Sequence, residues 1–227
     1  MNRRGLVEPV VITPDMLEDG GRETFRLDFE QGMSVFPKFT ASLILANVLV
    51  FVWEVLRGAL WSQKVMIASG AMFRPALLSG EYWRLFTPMF LHADWGHLVG
   101  NCLALYILGI AAEHAFGPAL MAGIYVFAGL TCFMASAAVH ERVVAVGASG
   151  AIFGLLAGVI VYMVLHRDVL VMRSRRLGVV LAVWSIYMIG QGFRVPYVDN
   201  AGHIGGFLGG LVCTWWMRPK IRIGRQV

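Results

Sequence analysis

Six apolar segments, separated by polar stretches, organise the chain. Several of them are shorter than the roughly 20 apolar residues that carry a helix across a full bilayer core. Their length and composition predict an all-α polytopic membrane protein with six transmembrane helices, some of them short or tilted enough to leave room for water. The segments run over residues 41–56, 98–113, 119–139, 149–165, 177–193 and 201–217.

The connection between the first two segments, residues 57–96, is much longer than the other connections. It is too polar to span a membrane and is interrupted by Gly70, Pro75, Gly80 and Pro88, yet it is rich in tryptophan, methionine and phenylalanine. Aromatic side chains concentrate at the headgroup level of a bilayer. We therefore predict a long interfacial loop, which is either a simple connection or a scaffold or lid that braces the outer mouth of a site.

The composition supports a membrane protein and argues against other classes. Of the 227 residues, 58% are hydrophobic and 15% charged, and the mean hydropathy is +0.67, too apolar for an ordinary soluble domain. The net charge is +5, but no run of lysine and arginine is interleaved with aromatic residues, so no nucleic-acid partner is expected. Cys102, Cys132 and Cys213 all lie in apolar segments, which predicts free, buried thiols and no metal site.

Basic residues indicate which side of the membrane each end of the chain occupies. We expect a cytosolic N-terminal segment (residues 1–38), a six-helix membrane domain (39–217) and a basic cytosolic tail (218–227). Six spans place both ends on one side, and that side carries most of the lysine and arginine residues. Because cytoplasmic loops are enriched in these residues, we predict a multi-pass protein of the cell membrane with both termini in the cytoplasm.

A candidate nucleophile lies where the fourth apolar segment begins. Ser149 stands in Gly147-Ala148-Ser149-Gly150, a position at which serine often only caps a helix. His203 is the only histidine of the last segment. A serine hydroxyl needs a base such as neutral imidazole, and an ionisable residue inside a membrane is a functional hypothesis by default. The two residues are therefore either a helix cap and a packed histidine, or a catalytic pair.

Regularly spaced glycines explain how the fourth and sixth segments could come together. Small residues at every fourth position let two helix backbones approach closely, and this packing role is compatible with catalysis. The glycines are Gly150, Gly154 and Gly158 in the fourth segment and Gly202, Gly206 and Gly210 in the sixth.

A site for acyl transfer also needs donors for the oxyanion of its tetrahedral intermediate. His97 and Asn101 are four residues apart, hence on one face of a helix, and both side chains can donate hydrogen bonds. The Ser149 backbone N–H, at a helix N-terminus, is a third candidate donor. The alternative is that His97 and Asn101 only join helices by polar contacts. His92 is expected to brace a loop.

Two other intramembrane chemistries find no support in the sequence. The zinc-protease motif His-Glu-x-x-His is absent, since the one His-Glu pair is followed by Arg-Val-Val. An aspartyl protease needs two carboxylates in mid-membrane, whereas Glu54 and Glu113, the only acids of the segments, lie toward their ends. Asp199 could orient His203 but is more simply a cap or loop residue, so a serine–histidine dyad is favoured over a triad.

Five motifs occur in a fixed order along residues 40–217. They are Trp83-Arg84, His92 with His97 and Asn101, Glu113 with Gly117, Gly147 to Gly150 around Ser149, and His203 with Gly206 and Gly210. This ordered set resembles the rhomboid family of intramembrane serine proteases. The resemblance implies a six-transmembrane-helix rhomboid-like bundle with a long interfacial first loop. It also implies that Ser149 is the nucleophile and His203 the general base and acid, while His97 and Asn101 hold the oxyanion beside the Ser149 N–H.

The resemblance assigns supporting positions as well. Trp83 and Arg84 would be structural in the first loop, and Glu113 would stabilise the inner end of the second helix. Phe153, where some family members carry tyrosine, would stack on His203. The remaining supporting positions are His92 and the glycines Gly147, Gly150, Gly154, Gly206 and Gly210.

The implied function is that of an intramembrane serine endopeptidase that needs no metal or organic cofactor. It would cut the transmembrane or juxtamembrane segment of other membrane proteins, so its expected partners are such substrates and the lipid bilayer. Two alternatives remain open. One is a non-catalytic membrane adaptor of the same fold that binds transmembrane helices without cutting them. The other is a small-molecule transporter, since polar residues in spans also mark transport pathways.

Overall fold

The structure is a computed structural model that describes residues 27–171 and 199–221, together with Val179, Val183 and Gly190. Three sequence-based expectations fall outside the described residues. They concern most of the N-terminal segment, the fifth apolar segment apart from the three isolated positions, and the end of the basic tail.

Helices make up most of the described chain, which confirms the mainly helical fold class. Within residues 27–171 and 199–221, α1 and α4 are long and apolar enough to cross a membrane, and α5 is apolar but shorter, with 17 residues. The elements in chain order are β1 (Leu27–Asp28), α1 (Lys38–Arg57), a 3₁₀ turn (Ala59–Trp61), α2 (Gln63–Ala68), β2 (Met72–Phe73), α3 (Arg74–Leu78), two further 3₁₀ turns (Tyr82–Leu85 and Thr87–Phe90), α4 (Trp95–Val139), β3 (Val144–Ala145), α5 (Ser149–Leu165), β4 (Leu170–Val171) and α6 (Asn200–Met217).

The 45-residue helix α4 consists of two rods that meet at Gly117. Gly117 has φ 69° and ψ 169°, a conformation that residues with a side chain rarely adopt. Pro118 follows and has no N–H to continue the helical ladder. The two rods, residues 95–116 and 118–139, contain the second and third apolar segments of the sequence.

The N-terminus of α1 is capped by a side chain from the first rod of α4. Glu113 Oε1 accepts from Phe39 N at 3.0 Å, and Glu113 Oε2 accepts from Thr40 N at 2.8 Å and from Thr40 Oγ1 at 2.9 Å. A carboxylate at this position satisfies free N–H groups and complements the helix dipole. Glu113 therefore fixes α1 to α4.

The centre of the molecule is formed by α4, α5 and α6, which pack on one another, with α1 against α4. Nearly the whole of α5 is buried. Large apolar side chains on the other helices point outward; Leu56 is 81% exposed and Trp216 86%. Many exposed large apolar side chains on these helices are unusual for a soluble protein and suit contact with lipid.

All three cysteines are free, but they differ in burial. Cys132 is buried, whereas Cys102 and Cys213 are half-buried, so the prediction of a buried thiol is wrong for these two.

Two small sheets attach loops to the helices. β1 and β4 are parallel, and next to them the buried ring of Phe29 packs edge-on against His114 at 5.3 Å. β2 and β3 are antiparallel, with Met72 opposite Ala145. Because β3 ends four residues before Ser149, the second sheet fixes the long first connection to the segment that enters α5.

Candidate active site

Ser149 is the first residue of α5, and its hydroxyl faces α6. Ala148 occupies the N-cap position, and none of the described side chains caps this helix end. The Oγ atom of Ser149 lies 2.7 Å from Nε2 of His203, a hydrogen-bond distance. Ser149 is 8% exposed. The alternative that this serine only caps a helix is therefore wrong.

The glycines of α5 and α6 bring the two residues together. A Cβ added at Gly206 would lie 2.7 Å from the carbonyl carbon of Gly150, and one added at Gly210 would collide with the backbone of Gly154. Real Cβ atoms do not approach backbone so closely. The two helices are thus in backbone contact directly below Ser149, which is the close packing that small residues permit.

The His203 ring lies against the Phe153 ring, and His203 is in the first turn of α6, whose start is capped by Asp199. The two ring centroids are 4.8 Å apart, with an angle of 36° between the planes. Asp199 Oδ1 accepts from Gly202 N at 2.8 Å and lies 3.5 Å from Nε2 of His140. Among the described residues, no hydrogen bond joins the Asp199 carboxylate to the His203 ring. Asp199 is therefore a helix cap.

The segment that leads into Ser149 packs closely against α4 at Gly147. Gly147 has φ +124°, and its N–H donates to the Pro88 carbonyl at 2.8 Å. A Cβ at Gly147 would lie 2.6 Å from His97 Cε1 and 3.4 Å from Asn101 Nδ2. Only glycine fits here, both for its backbone conformation and for the space. Its lack of a side chain lets His97 and Asn101 approach the backbone next to Ser149.

Asn101 and His97 each have a side-chain N–H donor near the backbone that precedes Ser149. Asn101 is 1% exposed, and neither polar atom of its side chain has a hydrogen-bond partner within the described part of the chain. A buried amide of this kind requires an explanation, and a bound ligand is one. Nδ1 of His97 accepts from Ala93 N in a long hydrogen bond of 3.5 Å, which favours the tautomer with its proton on Nε2. Polar contact between helices alone does not account for Asn101.

His92 is fully buried between α1 and α4. Burial lowers the pKa of His92 to about 3, and the nearby His97 adds to this effect. The imidazole is therefore neutral throughout the physiological range. Its backbone N–H donates to the side chain of Glu54, and its ring lies edge-on to His97 at a centroid distance of 5.2 Å.

Arg84 connects separate turns of the long first connection. Its Nη1 donates to the carbonyls of Ile67 and Ala71, at 2.5 and 3.1 Å, and its Nε and Nη2 donate to Glu81 Oε2 at 2.9 and 2.7 Å. The guanidinium also lies 4.3 Å from the centroid of the Trp83 ring. Arg84 is buried, and its guanidinium contacts three acceptors and one aromatic ring, so this part of the loop has a defined structure.

Glu54 is the residue near the site that sequence reasoning undervalued. The sequence alone indicates only an acid near the end of a span, yet the Glu54 side chain is fully buried and accepts the backbone N–H of His92. An acid inside an apolar helix is itself a signal of function. Elsewhere in the described chain, no group of three or more histidine, cysteine or acidic residues is placed to hold a metal ion.

Comparison with known proteins decides the family. A family model described as the Rhomboid domain matches residues 79–220, more than half of the chain. The chain belongs to the rhomboid family. This confirms the resemblance seen in its motifs.

Two of the similar proteins are named as rhomboid proteases. This rhomboid is 37% identical over 189 residues to Rhomboid protease GluP of Bacillus subtilis, an alignment that covers 83% of this chain and 36% of GluP. It is 29% identical over 199 residues to Rhomboid protease AarA of Providencia stuartii, covering 76% and 70%. It is 34% identical over 144 residues to RHOMBOID-like protein 5 of Arabidopsis thaliana, covering 62% and 46%. The chain thus spans about a third of GluP.

Proposed function

We propose that this rhomboid is an intramembrane serine endopeptidase that cuts the transmembrane or juxtamembrane segment of other membrane proteins. The observation that carries the proposal is the distance of 2.7 Å between Ser149 Oγ and His203 Nε2. A nucleophile within hydrogen-bond reach of its base is the arrangement that covalent catalysis requires. The protease names of two relatives support the same reaction class.

The pair can carry both halves of peptide hydrolysis. His203 Nε2 takes the proton from Ser149 as the hydroxyl oxygen attacks the peptide carbonyl, and then gives that proton to the leaving amine. In the second half a water attacks the acyl–Ser149 ester, His203 takes the proton from the water and returns it to the Ser149 oxygen. The face of Phe153 limits the rotation of the imidazole during both transfers.

The oxyanion would form beside the segment before Ser149. Asn101 supplies a buried amide with no other described partner, and His97 supplies an Nε2 proton next to Gly147. The backbone N–H of Ser149 lies at the start of α5, where the helix dipole favours negative charge. Together these three donors form the oxyanion site of the proposal.

The membrane arrangement follows from the same proposal. In this arrangement α1, the two rods of α4, α5 and α6 are five of the six spans. The remaining span, the fifth in chain order, is assigned to residues 177–193. The domain runs over residues 39–217, between a cytosolic segment at residues 1–38 and a cytosolic tail at 218–227. Both termini then lie in the cytoplasm, as the distribution of basic residues favours. The long first connection lies at the outer interface with its aromatic side chains.

Labelling with a serine-directed fluorophosphonate tests the function. We expect the purified chain to be labelled and Ser149→Ala to remain unlabelled, because only an activated serine attacks the reagent. Ser136→Ala is the matched control, since Ser136 is also a fully buried serine of a helix but lies outside the site. A folded parent that does not label would contradict the proposal and favour the adaptor or the transporter.

Loss of one oxyanion donor should slow cleavage without abolishing it. Asn101→Ala or His97→Ala is expected to lower kcat by about 10²- to 10³-fold, with a smaller change in KM, because the donor acts mainly in the transition state. The assay is cleavage of a reporter with one transmembrane helix in liposomes. Asn47→Ala provides the control of a buried asparagine in α1. An Asn101→Ala variant as fast as the parent would remove Asn101 from the oxyanion site.

A further inference from the structure

Glu54 is a buried acid at the last turn of α1. Its two carboxyl oxygens lie 3.2 and 3.1 Å from the backbone nitrogen of His92, and its side chain is fully buried. None of the cations in the described ranges forms an ion pair with it. An acid in this position is costly, so a role that compensates for the cost is expected.

The same turn of α1 contacts both ends of the segment that enters α4. Phe51, one helical turn before Glu54, packs edge-on against Trp95 at 4.7 Å and against the His92 ring at 6.5 Å. Glu54 holds the backbone of His92. The Phe51 ring and the Glu54 carboxyl group, two side chains on one face of α1, thus both contact the segment of residues 92–95.

The segment of residues 92–95 determines where His97 lies. His97 is in the first turn of α4, and the cap of that helix is Asp94, whose Oδ1 accepts from His97 N at 2.9 Å. Asp94 is itself exposed and lies within the same short segment. The cap therefore fixes where the helix begins along the chain, but not where that beginning sits relative to α5. Contacts with α1 supply this second constraint.

The ring contact continues the path to the site. The His92 ring lies 5.2 Å from the His97 ring, with 66° between their planes, so His97 rests on a buried neighbour whose backbone is held by Glu54. The His97 ring also lies close to Gly147, two residues before Ser149. A chain of direct contacts joins Glu54, His92, His97 and the segment that enters α5.

We propose that Glu54 is a positioning residue that, through the backbone of His92, sets the place of His97 against the oxyanion site. This inference rests on the proposed function for its effect on catalysis. Glu54 itself touches no reacting atom. A side chain with an oxygen acceptor is suited to the task, because the buried backbone N–H of His92 needs an acceptor.

Three variants test the proposal in the liposome cleavage assay. Glu54→Met keeps the length of the side chain but removes the acceptor, and we expect kcat to fall by about 10- to 100-fold, with little change in KM, because a small misplacement of a catalytic group costs this much. Glu54→Gln retains an oxygen acceptor and should recover most of the rate. Val52→Met, in the same turn on an exposed face, should match the parent.

A double-mutant comparison separates positioning from general support. If Glu54 acts through His97, adding Glu54→Met to His97→Ala should slow the reaction by less than threefold beyond His97→Ala alone, since residues that act as a unit are not additive. A purely structural role predicts that the two losses multiply. Multiplying losses, or a Glu54→Met variant with the rate of the parent, would overturn the proposal.

A spectroscopic measurement keeps this inference distinct from the proposed function. In detergent-solubilised protein with isotopically labelled histidine, Glu54→Met should move the imidazole resonances of His97, and Val52→Met should not. This result does not depend on cleavage. Shifted His97 resonances in a chain that neither labels nor cuts would overturn the protease and leave the positioning contact standing. Unshifted resonances would overturn the positioning role even in an active protease.

Discussion

Replacing Ser149 by alanine should reduce cleavage of a transmembrane reporter by about 10⁴- to 10⁶-fold in kcat, the range seen when a catalytic serine is removed. Under the proposed mechanism, the variant lacks the atom that forms the acyl-enzyme. His203→Ala should be nearly as slow, because the hydroxyl 2.7 Å from Nε2 would then have no base. The measurement is single-turnover cleavage in liposomes, with KM determined where the rate allows.

The double variant sharpens this prediction. The proposal makes Ser149 and His203 one catalytic unit, so Ser149→Ala combined with His203→Ala should be no slower than either single variant. Ser136→Ala serves as the control for loss of a buried hydroxyl. If either Ser149→Ala or His203→Ala cut as fast as the parent, the roles assigned to the pair would be wrong.

Local pattern was sufficient to predict the long helices of residues 27–171 and 199–221. The fourth apolar segment covers residues 149–165, and α5 has the same bounds. The break between the second and third segments also coincides with Gly117 and Pro118, two residues that interrupt a helix by known backbone effects. Such features depend on the order of residues along one stretch of chain, which the sequence contains in full.

Contacts between distant residues could be anticipated only where chemistry demanded a partner. Ser149 needs a base, and His203 was the one histidine of the last segment, so this pair could be proposed without coordinates. Glu113 was expected at the inner end of the second helix, but that it caps α1 through Phe39 and Thr40 was not foreseen. Nothing in the pattern near residue 40 calls for an acid 73 positions away.

The built loop and the Glu54 contact were harder to predict for a physical reason. The pairing of β2 with β3 involves only two residues on each strand, too few to show an alternating pattern. Glu54 binds a backbone N–H, and every residue except proline carries that group. A side chain that recognises backbone leaves no complementary residue in the sequence, so only the fold reveals its partner.

Replacing Gly206 by valine should have the largest effect on the packing of the bundle. Its Cβ would lie 2.7 Å from the carbonyl carbon and 2.9 Å from Cα of Gly150, and backbone cannot move aside as a flexible side chain can. Overpacking in a core typically costs up to about 3 kcal/mol, and a collision with backbone belongs at or beyond that value. The helices must separate, and with them Ser149 and His203, which adjoin these glycines.

Two measurements follow this separation. Thermal unfolding in detergent should show a lower Tm for Gly206→Val, and the rate of fluorophosphonate labelling should fall by about 10²-fold or more, because the loss of alignment acts on the reaction itself. Gly206→Ala should have the same effects in weaker form. Gly123→Ala is the matched control, since a Cβ there meets no atom within 4 Å and alanine is the better helix former. A Gly206→Val variant that labels at the parental rate would show that backbone contact between α5 and α6 does not align the pair.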